Sequence, residues 1–112
     1  MAYKEFASYI MEQLDSLDNV RNISMMGGYI FYYKDKIFGG IYDNGNFLVK
    51  ITTASQRFLP DSVPRPPYDG AKPMLPADDI VDDREQFANM VEQMYDELPK
   101  PKPKKKRTNK KP

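Results

Sequence analysis

Between Arg21 and Thr52 the apolar residues alternate instead of recurring every three or four positions, and short polar links interrupt the alternation. That period admits strands and excludes an all-helical fold. In "GYIFYY", Tyr29, Phe31 and Tyr33 fall on one side of a strand and Ile30 and Tyr32 on the other. Lys34-Asp35-Lys36 links it to a second strand from Ile37 to Tyr42. Asp43-Asn44-Gly45 then supplies residues that accept the positive φ of a tight hairpin before a third strand, "FLVKI". Phe47, Val49 and Ile51 form its more apolar face, and "VRNISMM" offers a further short strand ahead of the first Gly pair. Consecutive strands this closely linked pair antiparallel, as a meander.

The meander is flanked by helical periods. Tyr3, Phe6, Ala7, Ile10, Met11, Leu14 and Leu17 make one stripe, which Asp18 and Asn19 interrupt. Thr53 with Gln56 fits a capping box for a short helix, "ASQRFL", that Pro60 ends. Six prolines between positions 60 and 76 exclude a helix there and predict an extended, turn-rich segment with edge strands around Tyr68 and Met74. A last helix is capped by Asp82 or Asp83, with Glu85 or Gln86 as reciprocal partner. Its stripe is Phe87, Met90, Val91, Met94, Tyr95 and Leu98, and Pro99 stops it. Two amphipathic helices around a sheet imply a two-layer α+β sandwich with the helices on one sheet face.

Two Gly-Gly pairs stand inside the strand-rich stretch. A phosphate cradle needs its glycines between a strand and a helix N-terminus, whereas Gly27-Gly28 leads into a strand and neither pair is followed by Lys-Ser or Lys-Thr. The pairs are therefore expected to shape the sheet. Gly27-Gly28 would make a bulge or sharp twist, and Gly39-Gly40 would admit a close helix. The string Met25-Met26-Gly27-Gly28-Tyr29, the aromatic strand, the Lys34-Asp35-Lys36 link, Phe38, Ile41, the Asp43-Asn44 turn and "FLVKI" resemble the N-terminal domain of the TfoX/Sxy competence regulators over residues 3 to 98. The resemblance implies the order helix, three or four strands, helix, one or two strands, helix, in a secretion-chaperone-like architecture. It also implies a bacterial regulatory module that acts with a cyclic-AMP receptor protein and is not an enzyme. Full-length members carry a second, helical C-terminal domain, so this chain looks like the stand-alone form.

The net charge of +1 conceals a division. Residues 1 to 98 hold nine basic and sixteen acidic side chains, net −7. Residues 99 to 112 hold Lys100, Lys102, Lys104, Lys105, Lys106, Arg107, Lys110 and Lys111 with no acid, net +8. Prolines and charge predict a disordered tail after a single domain spanning 1 to 98. Such a tail can neutralise phosphates of DNA or RNA without reading sequence, or it can solubilise the chain or lie over its acidic part. Cysteine and histidine are absent, which removes thiolate zinc sites and the usual nucleophile and base pairs. Asp78-Asp79 and Asp82-Asp83 suit the start of a helix better than a metal site. No catalytic residue, cofactor or metal site is expected. With no apolar run long enough for a signal peptide or membrane span, a cytoplasmic protein is expected, with a protein partner and no membrane. Any open sheet face would present some of Tyr29, Tyr32, Tyr33 and Tyr42 as a partner surface.

Overall fold

A computed structural model describes residues 3–25, 27–42 and 45–100. Helix α1 (Lys4–Gln13) leads into strands β1 (Val20–Met25), β2 (Gly28–Tyr33), β3 (Lys36–Ile41) and β4 (Phe47–Val49). The short helix α2 (Thr53–Phe58), strand β5 (Leu75–Pro76) and helix α3 (Arg84–Met94) follow, and a single 3₁₀ turn flanks α3 on each side. The five strands lie in sequence order, and every neighbouring pair is antiparallel. This is the α+β sandwich that the two periods imply, with helices at both ends of the chain.

All the helices pack on one face of the sheet. Ala7, Ile10 and Leu14 of α1 and Phe87, Met90, Val91 and Met94 of α3 meet Phe31, Phe38, Phe47 and Val49 in one buried cluster. Phe47 is its hub, with edge-on rings of Phe31 and Phe87 both at 5.7 Å and Phe6 at 6.4 Å. Polar staples fix α1 to the start of α3. Tyr9 Oη donates to Asp82 Oδ1 at 2.7 Å, Gln13 Nε2 donates to the Val81 carbonyl at 2.7 Å, and Arg84 pairs with Asp15 at 3.0 Å.

Several local expectations shift. The helix under the stripe beginning at Tyr3 ends at Gln13, and the chain passes through turns, with Asn19 at φ +64°, into β1. The capping box sits one residue earlier than Thr53: the Thr52 side chain accepts from Ser55 N–H, and Ser55 Oγ accepts from Thr52 N–H at 2.8 Å. Of the four paired aspartates, only Asp83 caps α3, by accepting from Gln86 N–H. Asp82 takes the Tyr9 hydroxyl instead, and Asp78 accepts Phe47 N–H at 2.8 Å.

The Gly pairs shape the sheet, but differently from the expectation. The irregularity lies in the middle of the β2–β3 pair: Phe31 faces Gly39 while Tyr32 faces Ile37, so Phe38 is the extra residue. The bulge turns Phe38 toward the helices, where it is fully buried. A side chain on Gly39 would meet the Leu48 carbonyl oxygen of β4. A side chain on Gly40 would meet the Tyr29 carbonyl oxygen at 2.6 Å, and one on Gly28 would run into the Ile41 carbonyl. The missing side chains let β2 and β3 coil tightly around each other.

A candidate interaction groove on the open sheet face

Alternation along the strands sends Arg21, Ile23, Met25, Ile30, Tyr32 and Leu48 to the face that carries no helix. Ile23 and Met25 are exposed there, and the Arg21 guanidinium lies 4.2 Å from the centre of the Tyr32 ring. Of the four tyrosines considered for an open face, Tyr32 lies on it and Tyr42 is engaged there by the proline-rich segment, whereas Tyr29 and Tyr33 pack on the helical side.

The proline-rich segment returns across the β3–β5 half of this face. Arg65 and Met74 exchange backbone hydrogen bonds of 2.9 Å, closing the segment into a loop, and Ser62 Oγ donates to the Pro76 carbonyl at 2.6 Å. The loop tip turns at Gly70, φ +85°, where Ala71 N–H reaches the Tyr68 carbonyl. Tyr42 holds the loop down from the sheet side: its ring lies 6.4 Å from that of Tyr68, and its hydroxyl donates to Met74 Sδ at 3.7 Å. Burial, reinforced by the neighbouring Tyr68, pushes the Tyr42 hydroxyl above its ordinary pKa, so it stays a protonated donor. Beneath the loop Leu48 and Met74 are buried outside the helix-side core.

The loop covers only part of the face, and between it and the β1–β2 edge lies a groove of about 940 Å³. Met25, Gly28 and Ile30 form the sheet wall, and Pro67, Tyr68 and Pro73 form the loop wall. Ile51 contributes as well. It was expected to share the apolar face of Phe47 and Val49, but β4 ends at Val49 and Ile51 emerges exposed beside the groove. Lys50 and Lys72 line it too, and at the α3 end it reaches Glu97 and Pro99. Glu97 Oε1 accepts Thr53 N–H at 2.9 Å, which anchors the start of α2.

The family string divides over this geometry. Met25 and Gly28 line the groove, Gly27 turns the β1–β2 hairpin at φ +84°, Tyr29 packs against the helix-side core, and Met26 lies outside the described residues. Lys100 is exposed immediately after Pro99. Lys102, Lys104, Lys105, Lys106, Arg107, Lys110 and Lys111 lie outside the described residues. Tyr68 lines the groove, while Asp69, Asp78 and Asp79 are not among its lining residues. Among the described residues no cluster of three or more carboxylates is placed to hold a metal ion, and no helix is long and apolar enough to cross a membrane. Sequence reasoning missed Lys50, Lys72 and the prolines as groove residues. The available signal was Tyr68, a large aromatic placed among turn-forming residues with no alternating neighbours to bury it.

Residues 12–98 match the family model of the TfoX N-terminal domain. The chain belongs to that family. The matched span of the TfoX N-terminal domain begins within α1 and ends at Leu98, so it takes in all five strands and both walls of the groove. A relative from Spirochaeta aurantia, described as an uncharacterized 12.7 kDa protein in the trpE 5' region, is 33% identical over 103 residues, covering 92% of this chain and 89% of its own. The TfoX N-terminal domain thus accounts for most of this chain. No solved structure matches the chain significantly.

Proposed function

We propose that this TfoX N-terminal-domain protein is a non-enzymatic interaction module of a cytoplasmic regulatory pathway, holding a segment of a protein partner against its open sheet face. The observation that carries this reading is the groove. It is walled by Met25, Ile30, Pro67, Tyr68 and Pro73, and it lies on the face that no helix covers. Partly covered apolar surface of this kind is what a recognition site offers to another chain. Among the described residues Glu97 is the groove's one lining carboxylate, and it is engaged in anchoring α2.

A photo-crosslinking residue in place of Tyr68, introduced in the source cell, tests the reading. One recurrent protein should be captured there, but not from the same residue placed at Glu92 on the exposed side of α3. Identical bystander patterns from both positions would reject it.

A further inference from the structure

We infer that the groove takes an acidic segment of a partner protein, in which carboxylates flank apolar or aromatic anchors; this rests on the interaction-module reading above. The apolar part follows from the walls. The acidic part follows from how charge is distributed around them. Lys50 beside β4 and Lys72 on the loop both line the groove, and Glu97, the one carboxylate among the described residues that does, already accepts Thr53 N–H. Pro99 closes the α3 end, and Lys100, exposed immediately after it, adds a third cation there. The helical layer is acidic on balance: Asp15, Asp82, Asp83, Glu85, Glu92 and Asp96 are exposed there, against Lys4, Arg57 and Arg84. A molecule charged in this way draws an acidic partner toward the groove and repels it from the helices, which raises association rate and fixes orientation.

Other occupants fit less well. The chain's own tail would bring lysines onto Lys50 and Lys72. Single-stranded nucleic acid needs aromatic platforms that stand free, whereas Tyr42 and Tyr68 pack on each other and the remaining walls are aliphatic.

The test is selection of a random 12-residue displayed peptide library on the full chain, followed by fluorescence anisotropy with the enriched peptides. The inference expects enriched peptides to combine Asp or Glu with Phe, Leu, Met or Trp. Binding should weaken about tenfold when the peptide acids become amides, and equally in the full-length Lys50→Glu, Lys72→Glu double variant, whose unchanged melting curve confirms folding. Absence of enrichment, enrichment of basic or uncharged peptides, or an affinity indifferent to the double variant overturns it. So does a (dT)₁₅ oligonucleotide that outbinds every selected peptide and is lost in the same variant, or sedimentation showing a dimer that only the double variant dissociates. Uncharged peptides that crosslink at position 68 would overturn the charge inference and leave the interaction module standing. Failure of capture at position 68 in the cell strikes the module itself.

Discussion

At the scale of single residues, Gly28 and Gly70 separate two reasons for glycine. An added methyl at Gly28 collides with the backbone carbonyl of Ile41, which cannot move without breaking the β2–β3 pair, while at Gly70 nothing lies within 4 Å and only the positive φ opposes a side chain. Gly28→Ala should therefore cost about 3 kcal/mol or more, as severe overpacking does. Gly70→Ala should cost about 1 kcal/mol, the left-handed penalty alone. Urea unfolding of the two variants measures the difference, and equal losses would contradict the steric account. Asp78 gives a pH prediction. Although much of the residue is exposed, desolvation of its carboxyl against β4 raises its pKa above the usual carboxylate value. Asp79 adds to this, and the Phe47 N–H and Arg65 oppose it. A folded-state pKa above the unfolded one means the folded chain binds the proton more readily, so Asp78's contribution makes stability fall as pH rises through the interval between the two values. Asp78→Asn keeps an oxygen for Phe47 N–H and cannot ionise. Its unfolding free energy, followed from about pH 3 to 6, should lack that downward component.

At the scale of elements, the β3 bulge decides the core. With regular pairing, alternation would send Phe38 to the side opposite Gly39, away from the helices; the extra residue opposite Phe31 brings it onto the helix face, 6.1 Å from the Phe31 ring. Phe38→Ala should cost about 3–5 kcal/mol in thermal or urea unfolding, the range for deleting a fully buried aromatic. A loss no greater than that of an exposed apolar residue would show that the bulge does not insert this ring. The β2–β3 hairpin is also tied to the end of α3. Lys36 Nζ donates to the Tyr95 carbonyl at 3.0 Å and sits 4.1 Å from its ring centre, while Tyr95 Oη donates to Asp35 at 2.8 Å, a bond that raises the tyrosine's pKa. The strand periods were legible because one face of each strand is buried by helices. The off-by-one capping box was not, since Thr52 and Thr53 offer the same hydroxyl and only the chain's path out of β4 selects between them.

At the scale of the whole molecule, the buried cluster ends at Leu98, and Pro99 and Lys100 are exposed. Removing residues 100–112 should consequently change unfolding free energy by no more than about 0.5 kcal/mol, the range of surface changes that touch no packed feature. A larger loss would mean that the basic segment packs on the domain. The groove itself is a property of this scale. Its walls come from stretches far apart in the chain, Met25 and Ile30 on one side and Pro67 and Tyr68 on the other. Nothing in either local stretch indicates that they face one another.

By itself the sequence determined the element types, the antiparallel meander, the helix-facing stripes and the family, because each rests on local periodicity, turn chemistry or a contiguous string such as Met25 to Tyr29. Only the tertiary structure decided which strand carries the bulge, what fills the space beside each glycine and which half of the open face is covered. Those outcomes depend on the loop that returns over Leu48 and on the coiling of β2 against β3, contacts between distant residues that no local pattern encodes.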